Sequence, residues 1–128
     1  MIELTVRSGA RTELIDITAE VAAAVAELDP EARLCHVWVP HTTAAVVVNE
    51  AADPDVARDL AAAYRAIVPD IRFRHAEGNS DAHLLSTVLG CSVTLPVVGG
   101  RPRLGTWQGI FFVELDGPRS RRVQVSTI

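Results

Sequence analysis

Residues 2–7 (Ile-Glu-Leu-Thr-Val-Arg) alternate apolar and polar positions, the two-residue period of a strand with one buried face. Residues 12–17 (Thr-Glu-Leu-Ile-Asp-Ile) predict a second strand, joined to the first through a turn at Ser8-Gly9. From Thr18, a plausible N-cap with Glu20 in the favoured acidic first turn, the spacing changes to helical. Ile17, Val21, Val25 and Leu28 form one stripe, and Asp29-Pro30 ends it. Leu34–Val39 and Ala44–Val48 are continuous apolar runs whose β-branched residues favour strands. Asp53-Pro54 marks a helix start, with Asp as cap and Pro at the first helical position. Val56, Leu60, Tyr64 and Ile67 give that helix an apolar face, and Pro69 stops it. After a polar connector over 73–79, residues 80–89 predict a third helix closed by Gly90. Ser92–Val98, Ile110–Leu115 and Arg122–Thr127 then read as strands, with a tight turn at Gly99-Gly100.

At least five strands interleaved irregularly with three helices predict a mostly antiparallel α+β fold rather than a doubly wound parallel sheet. No Gly-x-Gly-x-x-Gly follows any strand, which removes the support for a dinucleotide site. The length of 128 residues suits one domain, 1–128, and 48% hydrophobic content suffices for a core without a disulfide or structural metal. Cys35 and Cys91 both lie in apolar runs and read as two buried thiols rather than a bridge. No segment approaches the roughly 20 apolar residues of a membrane span, and the N-terminus lacks a signal-peptide pattern. A cytoplasmic protein that binds no membrane is therefore expected. The net charge of −4 argues against a nucleic-acid partner. All 12 basic residues are arginine, so Schiff-base chemistry and the lysine-bearing phosphate loop are excluded.

The candidate chemistry falls into three clusters. Pro40-His41-Thr42-Thr43 interrupts two apolar strands with groups suited either to a ligand or to an ordinary turn. His75-Ala76-Glu77-Gly78-Asn79-Ser80-Asp81-Ala82-His83 puts two imidazoles and two carboxylates at a helix start. There the helix dipole favours a neutral His83, fit to act as metal ligand or base, although the spacing matches no standard zinc signature. Leu104-Gly105-Thr106-Trp107-Gln108-Gly109 brackets a tryptophan with glycines that permit close backbone approach, or else buries it as core. Downstream, Arg119, Arg121 and Arg122 are suited to holding an anion or simply to meeting water. His36 points away from its apolar neighbours, beside Trp38, and suits a sheet surface or subunit contact better than catalysis.

Taken together, Pro40-His41-Thr42-Thr43-Ala44, Asn49-Glu50, Asp53-Pro54-Asp55-Val56, the His75…Asn79…Asp81-Ala82-His83-Leu84 segment, Gly90, Leu104-Gly105-Thr106-Trp107-Gln108, Glu114 and Asp116-Gly117-Pro118-Arg119 resemble the YjbQ-like family over nearly the whole chain. That family is also described as secondary thiamine-phosphate synthase. The resemblance implies a β-sandwich with about three helices packed outside, assembled as a homotrimer. It also implies an enzyme joining a pyrimidine diphosphate to a thiazole phosphate with loss of diphosphate. Under that expectation the catalytic residues are His41, His75, His83, Glu50 and Asp81. Thr42, Thr43, Asn79, Thr106, Trp107, Gln108 and Arg119 contact a small phosphorylated substrate. His41, His75 and His83 are expected to gather on one divalent ion, with Zn²⁺ suiting imidazoles better than Mg²⁺. A metal-dependent hydrolase and a non-catalytic metal- or ligand-binding trimer are the rival expectations. The Arg101-Pro102-Arg103 hairpin is more basic than the family pattern leads one to expect.

Overall fold

A computed structural model describes all residues 1–128. In chain order the elements are β1 (Ile2–Arg7), β2 (Glu13–Asp16), α1 (Thr18–Leu28), β3 (Leu34–Trp38), β4 (Ala44–Glu50), α2 (Pro54–Ala66), α3 (Ser80–Leu89), β5 (Ser92–Val98), β6 (Arg101–Pro102), β7 (Gln108–Glu114) and β8 (Ser120–Thr127). They form a five-stranded sheet, β1-β8-β3-β5-β6, and a three-stranded sheet, β2-β7-β4, with every pairing antiparallel. The expected α+β class is therefore observed. No helix is long and apolar enough to cross a membrane.

The continuous apolar runs of β4 and β7 follow from burial on both faces. Ala44, Val46, Ile110 and Phe112 enter the principal core with Val6, Cys35, Val37, Val123 and Val125 of the larger sheet. Val21, Ala24 and Val25 of α1 fill the same space. Ala45, Val113 and Leu115 face the opposite way and meet Ala82 and Leu85 of α3. The layers run from α2 and α3, through the three-stranded sheet and the core with α1, to the five-stranded sheet. The far face of that last sheet is uncovered and carries Leu34, His36 and Trp38, with Trp38 41% exposed.

Several local expectations need correction. The N-cap of α1 is Ile17, which makes no side-chain cap bond. Thr18 instead bonds through Oγ1 to Asp16 Oδ1 (2.5 Å) and accepts from the Ile110 N–H at 2.9 Å. Asp53 does cap α2, accepting from the Asp55 N–H at 2.9 Å, but no residue of α2 is fully buried. Of the two thiols, both free, Cys35 is buried and Cys91 is exposed.

Candidate functional site

The antiparallel register decides which predicted residues meet. Ala44 pairs with Glu114, so the β3–β4 connection (Pro40–Thr43) lies beside the turn from β7 into β8 (Asp116–Arg119). The start of α3 completes this end of the molecule. Together they enclose a cleft of about 450 Å³ lined by Pro40, His41, Thr42, Thr43, Glu77, Asn79, His83, Asp116, Arg119 and Arg121. Beneath it, Glu114 and Arg121 form a buried ion pair, their side chains 0% and 3% exposed. Arg121 Nε donates to Glu114 Oε1 at 3.0 Å and Nη2 to Oε2 at 2.5 Å. Nη2 also donates to the Thr43 carbonyl (3.1 Å) and hydroxyl (2.9 Å), which fixes the cleft floor to β4. Burial alone would push the Glu114 carboxyl up. Hydrogen bonds from Arg121, from Ser8 and from the Asp116 N–H outweigh it and hold the group below the usual carboxylate value.

The hydrogen bonds fix the imidazole tautomers. The Arg122 N–H donates to His41 Nε2 at 2.9 Å, so that nitrogen carries no proton and Nδ1 carries one. Burial, reinforced by the Arg121 and Arg122 charges, lowers the His41 pKa and keeps the ring neutral. His83 Nδ1 lies 3.1 Å from the Thr42 carbonyl, which only accepts, so Nδ1 carries a proton and, in the neutral ring, Nε2 is the nitrogen without one. His41 therefore offers an N–H, while the Nε2 of His83 has no protein partner and is an acceptor when the ring is neutral. Asp116 Oδ2 accepts from Asn79 Nδ2 (3.0 Å) and Arg119 Nη2 (3.2 Å). Arg121 Nη1, His41 Nδ1, His83 Nε2 and Asp116 Oδ1 have no protein partner, yet none is sealed from solvent. The one sealed orphan is Asn79 Oδ1.

The other expected site residues lie elsewhere. His75 packs edge-to-face on His83, ring centroids 5.3 Å apart, and its Nδ1 is 3.2 Å from Ser80 Oγ, but it does not line the cleft. No group of three or more His, Cys, Asp or Glu side chains is arranged to hold a metal ion, so the expected gathering of His41, His75 and His83 is not seen as such a group. Asp81 is a structural anchor: it accepts from Arg11 Nη2 (3.1 Å) and from Arg65 Nη1. Arg65 also donates to Thr12 Oγ1 and to the Leu115 carbonyl (2.5 Å), tying α2 to α3 and β7. Glu50 pairs with Gln108 at the other end of β4, six residues from Ala44, or roughly 20 Å away. Glu50 lines a separate groove against α2. Gln108 Oε1 closes onto the Gly105 N–H at 2.8 Å, and Trp107 stands 63% exposed beyond it. Thr106, Trp107 and Gln108 thus form no wall of the histidine cleft within one chain. Sequence reasoning left out Glu114 and Asp116 as site components; Glu114 was legible as the one acidic residue inside an otherwise apolar strand.

Comparison with known proteins bears on the expected reaction. Residues 2–128 match the family model described as UPF0047 protein YjbQ-like. The UPF0047 protein of Methanocaldococcus jannaschii is 43% identical over 129 residues, covering 100% of this chain and 94% of that one. UPF0047 protein YugU of Bacillus subtilis is 43% identical over 120 residues, covering 92% of this chain and 91% of its own. A crystal structure of a YjbQ/UPF0047 family protein from Clostridium acetobutylicum superposes with a TM-score of 0.94 at 41% identity, covering 100% of both chains. The crystal structure of a conserved hypothetical protein from Thermus thermophilus gives 0.91 at 40% identity, again over 100% of both. These matches carry a family designation and no activity. With the absence of a metal-ligating group, that overturns the thiamine-phosphate synthase reading and its metal-based rivals.

Proposed function

The chain belongs to the YjbQ-like UPF0047 family, and from that footing we propose that its polar cleft recognises a small phosphorylated molecule without a metal ion. The observation that carries this reading is Arg121. A guanidinium 97% withdrawn from solvent has its Nε and Nη2 fully engaged by Glu114 and Thr43, while Nη1 is left without a protein partner at a cleft it lines. Withdrawing a charge from water is costly, and the Glu114 carboxylate offsets that cost without consuming the third nitrogen. A phosphate oxygen accepting from Nη1 gains a charge-assisted bond in a site already paid for in desolvation. Arg119 at the rim and the N–H of neutral His41 add two more donors. Calorimetric titration with phenyl phosphate tests this. The expected result is saturable binding that weakens about tenfold in Arg119→Ala, the loss of one charge-assisted bond. Binding indifferent to both Arg119→Ala and Arg121→Lys would sink the proposal.

The homotrimer implied by the resemblance draws support from the uncovered face of the five-stranded sheet. Leu34, His36 and Trp38 there meet no helix of their own chain, and Trp38 pairs across the sheet with Ser92 and Gln124, neither of them charged. An exposed tryptophan flanked by uncharged cross-strand partners is of the kind found at interface centres. Sedimentation equilibrium should give three times the 13.8 kDa chain mass, with Trp38→Glu shifting it towards one; a wild-type monomer would end the idea.

A further inference from the structure

The free polar atoms of the cleft are not all donors. Arg121 Nη1, Arg119 and His41 Nδ1 donate. Across the cleft, α3, the connector before it and the β7–β8 turn supply three acceptors: Nε2 of a neutral His83, the Glu77 carboxylate and Asp116 Oδ1. The lining holds two guanidinium groups and two carboxylates, and the Glu114 carboxylate beneath it already pairs with Arg121, so the cleft has no positive excess before any ligand arrives. A plain dianion would satisfy the donors and repel the carboxylates, leaving desolvated acceptors unpaired. A ligand that places a donor beside its anionic group satisfies both sides.

Resting on the phosphate reading above, we infer that the ligand is a small phosphate ester carrying an ammonium or hydroxyl donor, its phosphate held by Arg121, Arg119 and His41 and its donor by Asp116, His83 and Glu77. The length is set by the cleft. About 450 Å³ admits a phosphate with a short chain, and the lining has no apolar side chain except the Pro40 ring to hold a hydrocarbon tail. A hydroxyl donor on such a ligand would also be within the acceptor set, bonding Nε2 of a neutral His83. Glu77 is the group of choice for a test, because its side chain is 76% exposed and it forms no ion pair with an arginine, its carboxylate lying 3.9 Å from the His75 imidazole. Substituting it leaves the fold intact.

The experiment compares ethyl phosphate with O-phosphoethanolamine, which differ at the chain end by one ammonium group. Affinities are measured by calorimetry on the wild-type chain and on Glu77→Gln and Asp116→Asn. The inference expects phosphoethanolamine to bind about tenfold tighter than ethyl phosphate, the worth of one charge-assisted hydrogen bond. It expects that advantage to shrink in both variants, while ethyl phosphate binding is held or improved in Glu77→Gln. Equal affinities for the two esters would overturn this inference and leave the phosphate reading standing. An advantage unchanged in both variants would overturn the assigned placement. Failure of both esters to bind would overturn the phosphate reading itself.

Discussion

Replacing Glu114 with glutamine tests how the cleft floor is held. Its two oxygens accept from Arg121 Nε (3.0 and 3.2 Å) and Nη2 (2.5 Å), Ser8 Oγ (2.7 Å), Leu115 N (3.0 Å) and Asp116 N (3.1 Å). All six contacts need an acceptor, and glutamine turns one oxygen into an NH₂ group. The substitution also leaves Arg121 as a buried charge without its counter-ion. Removing one partner of such a pair costs about 3–5 kcal/mol. Against a domain stability of about 5–15 kcal/mol, that is a large share. At roughly 4 °C per kcal/mol, the Tm falls by roughly 10–20 °C. Urea unfolding followed by circular dichroism at pH 7 measures the free-energy loss, and a thermal scan the fall in Tm. The double variant Glu114→Gln/Arg121→Met removes both charges and should recover most of the loss. The pH dependence gives a second check. Because the folded Glu114 carboxyl sits below its unfolded value, its contribution is present above roughly pH 4.3 and is lost as pH falls through the folded value. Glu114→Gln should lack that limb. A single-variant loss under about 1 kcal/mol, or a double variant no better than the single, would refute the reasoning.

Three further outcomes follow from the same structure. His41, lowered by burial and by Arg121 and Arg122, should titrate below roughly pH 6.5. It stabilises the fold above that pH and loses its contribution as pH falls through its folded value, a limb that NMR titration should show and His41→Ala should flatten. Arg65→Ala removes the polar links of a helix with no buried residue, and should cost about 1–2 kcal/mol. Hydrogen exchange should accelerate over 54–66 first; unchanged exchange there would contradict the anchoring role. Ser86→Ala deletes the 2.7 Å buried bond to the Ala44 carbonyl and strands that acceptor, costing about 1–3 kcal/mol in urea unfolding.

Much of the architecture is legible because it obeys local rules. Period-two alternation marks β1, Asp53-Pro54 starts α2, and Ser80–Leu89 ends at Gly90, where φ is 97°. Gly99 and Gly100, at φ 62° and 74°, supply the tight turn into β6 that L-residues with side chains would resist. The misjudged details depend on distant partners. Thr18 looks like a cap, but Ile110 on another strand claims its hydroxyl. Asp81 looks catalytic beside His83, yet two arginines from remote segments, Arg11 and Arg65, hold it.

The candidate site divides in the same way. His41, Thr42, Thr43, Asn79, His83 and Arg119, singled out by residue type and by the resemblance, all line one cleft. Nothing local reports that β4 runs six residues between Ala44 and Glu50, and that length carries Glu50 and Gln108 to the opposite end. Nor does spacing report the tautomers, which are set by the Arg122 N–H and the Thr42 carbonyl.

The claim that matters most is that Arg121, Arg119 and His41 together receive a phosphate. Side-chain ¹H–¹⁵N correlation spectra of the four imidazoles during a phenyl phosphate titration test it directly. The account predicts His41 and His83 as Nδ1–H tautomers in the free protein, with saturable shifts of His41 and His83 on addition of the ester and little change at His36 on the far sheet face. Uniform small shifts of all four rings, or a His41 ring protonated at Nε2, would contradict it.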